Sequence, residues 1–224
     1  SIGGYYSYTE GDTSRCIFFS KEESPKVLGT ISFDSTHNPA TAIANLTKRD
    51  FTPTEESLYT IRKLALAEIS SDTLFKTYSN SNLNLIPLIS ENEKKVYVLT
   101  GPAQNGVVIL GNDYLLTFDE DNNLKTKKQL HKNIIPMYYG SEDGKSSETT
   151  MHNHSEETGE FITATDICTL MLYGKYAKWK THIVVSKKYM NNWNCETNEL
   201  FVIPMDVVKK IDKDQKKRNK KKKK

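Results

Sequence analysis

The spacing of apolar residues changes along the chain, and the change predicts where helices and strands lie. Leu58, Ile61 and Ala65 follow one another at helical spacing. They come after Thr52-Pro53-Thr54-Glu55, which supplies a cap, a proline at the first helical position and an acid three residues after the cap. This pattern predicts a helix over about 53–70.

Strand-forming residues, rich in β-branched and aromatic side chains, occupy most of the remaining apolar segments. The predicted strands are 15–20, 27–33, 83–89, 95–100, 106–110, 114–118, 125–138, 148–154, 181–186 and 200–203. The first two form a hairpin, residues 34–50 are irregular, and the strands between 83 and 138 form an antiparallel meander, because turn residues separate them.

A second helix is predicted over about 164–175. It opens at Thr163 with Asp166 three residues later, buries a stripe that includes Leu170, and ends near Gly174. Two helices combined with mostly antiparallel strands predict an α+β fold.

Composition predicts one globular domain with a charged end. The chain has 224 residues, of which 37% are hydrophobic, which is enough for a packed core. We expect a β-rich extension over 1–50 that packs on an α+β core over 51–212, and a disordered lysine-rich tail over 213–224. The tail carries nine basic residues against one acid, so the rest of the chain has a net charge near −5 although the whole chain is at +3. A solvated end explains such a run better than contact with nucleic acid or anionic lipid, and we expect no specific nucleic-acid partner.

Cysteine and hydropathy patterns exclude two classes of protein. The three cysteines are an odd number without CxxC spacing, and Cys168 lies in an apolar helical pattern, so a disulfide framework is not indicated. No apolar run approaches the roughly 20 residues of a membrane helix, so we expect a soluble protein without a transmembrane segment. The printed chain starts at Ser1, and a leader removed before it would mark an exported protein.

The residues that carry chemistry lie between Met151 and Asp166, in the sequence MHNHSEETGEFITATD. His152 and His154 are two apart on a predicted strand, so both imidazoles project from one face. Asp166 falls in the first turn of the following helix, whose start points back at the strand end. Two imidazoles and a carboxylate suit Zn²⁺ with a fourth position for water, which can then act as a nucleophile on an amide.

This motif resembles that of the JAMM (MPN/JAB) metalloproteases, which hydrolyse isopeptide or peptide bonds. The shared features are His-x-His, about eight residues, then Ser/Thr-x-x-Asp, in a strand-helix-strand context that covers about 82–203. By position, the resemblance implies that His152, His154 and Asp166 hold zinc. It implies that Thr163 takes the place of a serine that helps to orient the tetrahedral intermediate. A peptide or protein would be the substrate or partner.

Two positions depart from the family pattern. The family usually has proline after the second histidine, where this chain has Ser155. The family also has a glutamate on an earlier strand that shuttles the proton, whereas the matching strand here carries Asn82 and Asn84, and an amide cannot accept that proton. Glu91 and Glu93 fall in a predicted turn, and the glutamates of the first helix have no equivalent place. The general base is therefore unknown.

Three interpretations follow from these residues. The first is a JAMM-like zinc protein, a peptide or isopeptide hydrolase with a degenerate proton-transfer base or a pseudoenzyme. The second is a non-catalytic protein-binding module that retains the fold. The third is an unrelated α+β domain, in which Thr163-x-x-Asp166 is only a capping box and the two histidines lie on a solvated strand. The string His-Asn-His does not indicate an HNH nuclease, whose residues are dispersed over a longer segment.

The other three histidines have no interpretable spacing. They are His37, His131 and His182. We expect His182, at the start of a strand, to pack or to cap rather than to bind a metal.

Overall fold

The computed structural model describes residues 1–90, 93–140 and 147–222. Its strands are β1 (Ile2–Glu10), β2 (Thr13–Ser20), β3 (Val27–Phe33), β4 (Ile43–Asn45), β5 (Ser81–Ser90), β6 (Glu93–Pro102), β7 (Val107–Gly111), β8 (Tyr114–Phe118), β9 (Leu124–Gln129), β10 (Ile134–Tyr138), β11 (Thr149–Asn153), β12 (Thr181–Val185), β13 (Tyr189–Asn194) and β14 (Glu199–Pro204). Its helices are α1 (Pro53–Ser71), α2 (Ala164–Tyr173) and α3 (Met205–Lys222), with a short 3₁₀ turn at Pro39–Thr41. The fold is α+β with mostly antiparallel sheets, as predicted.

Contacts divide the chain into two compact units, each built from segments that are separate in sequence. The first comprises Ser1–Thr77, Leu83–Leu99 and Asp113–Gln129, and the second comprises Tyr78–Asn82, Thr100–Asn112 and Leu130–Lys224. The division into segments 1–50, 51–212 and 213–224 stays a prediction.

The first unit contains the sheet β1-β2-β3-β4, helix α1 and most of the sheet of order β5-β6-β8-β9. Helix α1 begins where predicted, because Thr52 and Glu55 form a complete capping box with proline in the first turn. Its apolar side packs into two clusters, one around Leu58 and Phe19 and the other around Ile61 and Tyr114.

The second unit contains the sheet β11-β12-β13-β14, the β7-β10 pair and helices α2 and α3. Strands β11 and β12 run parallel, and the other pairs of this sheet are antiparallel. Helix α2 lies in the connection between the two parallel strands, and Leu170 packs with Val184, Trp179 and Trp193 in the core. This arrangement brings the end of β11 and the start of α2 to the same place.

The structure corrects the predicted meander. The segment 125–138 is not one strand but two, β9 and β10, separated by a bend over residues 130–133. Strand β7 pairs with β10 and not with its neighbours in sequence. Left-handed backbone at Gly111 and Asn112, with φ of 83° and 54°, turns the chain between β7 and β8 and accounts for the change of partner.

The lysine-rich tail also differs from the prediction. Helix α3 includes residues 213–222, which the sequence predicts to be disordered, and residues 223–224 lie outside the described part of the chain. Lysine, arginine and glutamine are good helix formers, and Lys216 pairs with Asp212 one turn earlier at 2.7 Å.

Strands β1, β4 and β13 were not predicted either. Within the described ranges, none of the helices has the length and apolar character needed to cross a bilayer.

Candidate metal centre

Strand β11 positions two histidines at its carboxyl end. His152 lies opposite Val184 in the parallel ladder, and the amide of His154, just past the strand, donates to the Val185 carbonyl at 2.9 Å. The ladder therefore continues through His154, and both imidazoles fall on the same face with ring centroids 4.9 Å apart. Both side chains are buried.

Helix α2 supplies a buried carboxylate. The backbone amide of Thr163 donates to Asp166 Oδ2 at 2.9 Å and the Thr163 hydroxyl donates to the same oxygen at 2.7 Å, while the Asp166 amide donates back to the hydroxyl at 3.2 Å. The predicted capping box is therefore present. The hydrogen bonds of the capping box go only to Oδ2 of Asp166. The other carboxylate oxygen, Oδ1, is buried without a hydrogen-bond partner.

A third histidine joins the group from a distant part of the chain. His131 lies in the bend between β9 and β10, is buried, and places Nε2 3.5 Å from Asp166 Oδ2 and 3.3 Å from His154 Nε2. His154 Nε2 lies 3.3 Å from Oδ2, and His152 Nε2 lies 3.6 Å from Oδ1. One ligand atom from each of these four side chains lies within 4.8 Å of all the others, so the group could hold a metal ion.

Three ligand atoms of the group have the spacing of tetrahedral coordination. Two ligands about 2.05 Å from one ion, at the tetrahedral angle, lie about 3.3 Å apart. The distances that join His131 Nε2, His154 Nε2 and Asp166 Oδ2, 3.3 to 3.5 Å, are close to that value. His152 Nε2 lies 3.6 Å from the other carboxylate oxygen, Oδ1. The ring nitrogens of His131 and His154, 3.3 Å apart, can form one N–H···N hydrogen bond, or both can direct lone pairs at a shared cation.

A chain of hydrogen bonds supports His152 from behind. His152 Nδ1 lies 2.8 Å from His182 Nε2, and His182 Nδ1 lies 2.7 Å from the Thr150 hydroxyl. When each Nδ1 carries the proton and donates, both bonds are satisfied and Nε2 of His152 keeps its lone pair for a ligand role. That Nε2 atom is buried and has no hydrogen-bond partner.

Burial sets the charge of these groups. It lowers the pKa of His152 to about 4, against the opposing effect of Asp166, and it lowers the pKa of His182 to about 3. Burial alone would raise the pKa of Asp166, but hydrogen bonding to His131 and His154 holds that pKa well below its ordinary value. At neutral pH the site therefore presents neutral His152 and an ionised Asp166, which are the forms that bind a metal.

The structure brings together the predicted residues His152, His154 and Asp166, with Thr163 beside them. Sequence reasoning missed His131 and the contact of His182 with His152. The contact between His182 and His152 follows from the parallel pairing of β11 with β12, which places His182 opposite Thr150. The residue spacing within either strand does not predict this contact.

The glutamate that the family resemblance requires is not among the grouped ligands. Within the described residues, the group holds three histidines and one aspartate. Asn82 and Asn84 are exposed on β5, and Glu93 forms an ion pair with Lys95. Glu91 lies outside the described residues.

A cleft of about 370 Å³ opens beside His154. Its walls include Asn153, Ser155, Glu160 and Lys187, from the ends of β11 and β12 and the loop before α2. The cleft therefore combines polar and charged groups next to the buried ligands.

Comparisons of the chain with protein-family models, with curated proteins and with solved structures find no match. The resemblance to the JAMM family therefore depends on the motif residues themselves.

Proposed function

We propose that this chain is a JAMM-like zinc protein whose metal centre hydrolyses peptide or isopeptide bonds. The observation that carries the proposal is a pair of buried, unpartnered ligand atoms. Nε2 of His152 and Oδ1 of Asp166 face each other at 3.6 Å, and neither has a hydrogen-bond partner. Buried polar atoms without partners are costly, and a shared cation would satisfy both.

The donor set favours zinc. Imidazole nitrogen with carboxylate oxygen, at tetrahedral spacing, is a ligand set that Zn²⁺ accepts readily. When bound with an open position, zinc polarises carbonyl groups and lowers the pKa of a bound water to roughly 7.

The chain's own residues have separate roles in this proposal. Thr163 holds Oδ2 of Asp166, the oxygen that faces His131 and His154, and leaves Oδ1 facing Nε2 of His152. Thr150 and His182 hold the ring of His152 in one orientation. The cleft beside His154 would receive the substrate chain, and Lys187 and Glu160 on its walls would contact polar groups of that chain.

A second candidate function is a non-catalytic protein-binding module with a structural metal. Two observations favour it: the strand that matches the family's glutamate strand carries Asn82 and Asn84, and β14 and α3 carry apolar side chains that are exposed. These side chains are Leu200, Phe201, Val202, Val207 and Ile211.

Metal analysis and hydrolysis assays test the proposal together. Purified protein, supplemented with Zn²⁺ and dialysed, is expected to retain one zinc per chain, and His152→Ala is expected to lose it. His37→Ala, which changes a histidine in the first unit, is the matched control and should retain zinc. A wild-type protein without stoichiometric zinc contradicts the metal centre.

The zinc-loaded protein is then assayed against peptide and isopeptide-linked substrates, with His152→Ala as the blank. Cleavage that requires zinc and His152 supports the hydrolase. Stoichiometric zinc with no cleavage of either substrate class, by the wild type or by His131→Ala, which lacks one of the four grouped side chains, leaves the binding module as the function.

A further inference from the structure

The bend between β9 and β10 carries His131 into the metal centre. This residue is 21 positions before His152 and belongs to no motif, yet its side chain is only 8% exposed. Its Nε2 is 3.3 Å from His154 Nε2 and 3.5 Å from Asp166 Oδ2. The position admits two chemical roles, a fourth ligand or a proton acceptor for water.

The distances separate these roles. The ligand atoms of a tetrahedral zinc site lie about 3.3 Å from one another, which is the edge length of the tetrahedron. A base must leave room for the water that it deprotonates, so its nitrogen stands one hydrogen bond beyond the ligand shell, about 4 Å from the ion. His131 Nε2 lies close to the tetrahedral-edge distance from His154 Nε2 and Asp166 Oδ2, and all four ligand atoms of the group lie within 4.8 Å of one another, so the geometry favours the ligand position.

The backbone around His131 is held tightly to β7. Asn112 donates its amide to the Asn133 carbonyl at 2.9 Å, and the Asn112 carbonyl accepts from the Thr100 hydroxyl at 2.6 Å. Gly111, with φ of 83°, approaches so closely that a Cβ there would overlap the Asn133 carbonyl oxygen and stand 3.5 Å from the His131 Cβ. A side chain at position 111 would therefore push the His131 bend outward.

We propose that His131 is a fourth protein ligand, and that the bend Leu130–Asn133 closes the metal centre to outside ligands. With His131 in place, three imidazoles and one carboxylate complete a tetrahedral shell and leave no position for water or substrate. Access to the ion requires the bend to move and His131 to leave. This inference rests on the proposed zinc centre and states how that centre is regulated.

Cobalt substitution with azide as an external ligand tests the inference without an activity assay. Co²⁺-loaded wild-type protein is expected to keep its visible absorption spectrum when azide is added. Co²⁺-loaded His131→Ala is expected to change its spectrum in a saturable titration, and added imidazole should restore the spectrum of the wild type. Since a direct ligand should matter at least as much as a supporting residue, His131→Ala is expected to bind zinc at least about tenfold more weakly.

A second variant opens the centre without altering a ligand. Gly111→Ala should displace the bend and make the cobalt spectrum sensitive to azide, as in His131→Ala. Gly106→Ala is the matched control, because Gly106 has a similar φ of 82° and its nearest neighbour would be 3.9 Å from the new Cβ. It should behave like the wild type towards azide.

The outcomes distinguish this inference from the proposed zinc centre. A wild-type protein that binds neither cobalt nor zinc overturns both. Metal binding that is lost in His152→Ala but unchanged in His131→Ala, with a wild-type spectrum that responds to azide, overturns the fourth ligand and leaves the zinc centre standing.

Discussion

Two buried carboxylates lie in the first turns of helices α1 and α2, and they differ in what surrounds them. Glu55 in α1 and Asp166 in α2 both occupy the third position of a complete capping box that starts with threonine. Both are fully buried. From local sequence the two sites are the same.

Glu55 is saturated by its neighbours. Oε1 accepts from the Tyr8 hydroxyl at 2.8 Å and from Arg49 at 2.7 Å, while Oε2 accepts from Arg49 at 2.6 Å and from the Thr52 amide at 2.8 Å. A permanently charged guanidinium thus compensates the buried carboxylate in bidentate geometry. No ligand is needed to complete this site.

Asp166 lacks such compensation. Its ion-pair partners are His131, His152 and His154, which carry charge only when protonated, and its Oδ1 accepts no hydrogen bond. A capping box therefore indicates where a helix starts. The charge of the groups around the carboxylate of the box indicates whether a bound cation is needed to balance that carboxylate.

The largest expected difference between the two sites is their response to zinc. Zinc at about 1,000 times its Kd should raise the free energy of unfolding of the wild type by ~4 kcal/mol. Asp166→Asn, which keeps a capping side chain but removes the ligand charge, should lose this increment, and Glu55→Gln should keep it. Urea unfolding with and without zinc measures both. An Asp166→Asn protein that zinc still stabilises fully would remove the distinction drawn between the carboxylates.

The pH dependence of Glu55 is the next largest effect. Burial alone would raise its pKa, but hydrogen bonds from Arg49, Thr52 and Tyr8 together outweigh that effect and lower the pKa from 4.5 to about 2. A depressed pKa stabilises the fold above pH 4.5, and this part of the stability is lost as the pH falls towards 2. The shift corresponds to at most ~3 kcal/mol, and we expect about 2 kcal/mol, since Arg49 is 37% exposed and partly screened.

Urea unfolding of metal-free protein between pH 7 and pH 3 measures this contribution. Glu55→Gln should be about 2 kcal/mol less stable than the wild type at pH 7, and the gap should narrow as the pH falls. A gap that stays constant across this range would show that the charge of Glu55 is not what stabilises the site.

A smaller effect on zinc affinity is expected from changes to His182, which lies next to His152. His182→Phe removes the hydrogen bond to His152 Nδ1, so the ring is no longer held in one tautomer and zinc should bind about 10- to 100-fold more weakly. His182→Gln keeps a hydrogen-bonding group and should lose less affinity. Calorimetric titration gives both constants, and a His182→Phe protein with the affinity of the wild type would show that this chain of hydrogen bonds does not support the centre.

The smallest expected effect is that of the caps themselves. Thr52→Ala and Thr163→Ala should each lower the free energy of unfolding by ~1 kcal/mol, because each removes one cap. Only Thr163→Ala should also weaken zinc binding, since Thr163 holds Oδ2 of Asp166. Thr163→Ser should restore both properties. Equal zinc affinity in the two alanine variants would show that the cap of α2 does not contribute to metal binding.

Local signals were sufficient for the helices near the sites. Caps and periodic apolar residues predicted α1 over about 53–70 and α2 from residue 164, and the structure has Pro53–Ser71 and Ala164–Tyr173. The same signals failed at α3, where few apolar residues mark a face, and helix propensity together with charge pairing decides the structure instead. The predicted pairing of β7 was wrong, because the turn at Gly111 and Asn112, rather than the composition of the strand, determines that β7 pairs with β10.

The site was predictable only where its residues are close in sequence. His152, His154 and Asp166 share one short motif and one strand-helix unit, so periodicity places them together. His131 was missed because residues 125–138 were interpreted as one strand, in which a histidine has no special position. Its role depends on a bend held by Gly111 and Asn133, and such a contact between separate segments leaves no spacing in the sequence.

The parallel pairing of β11 with β12 also determines what metal release should do to the chain. Parallel neighbours cannot be joined by a tight turn, so the chain leaves the sheet after His154 and returns through α2. An ion bound to both His154 and Asp166 would cross-link the two ends of this connecting segment. Loss of the ion would remove the cross-link, and the segment would regain conformational entropy. We therefore expect the amides at the start of α2 to exchange with solvent faster when the metal is removed, while α1 keeps its protection.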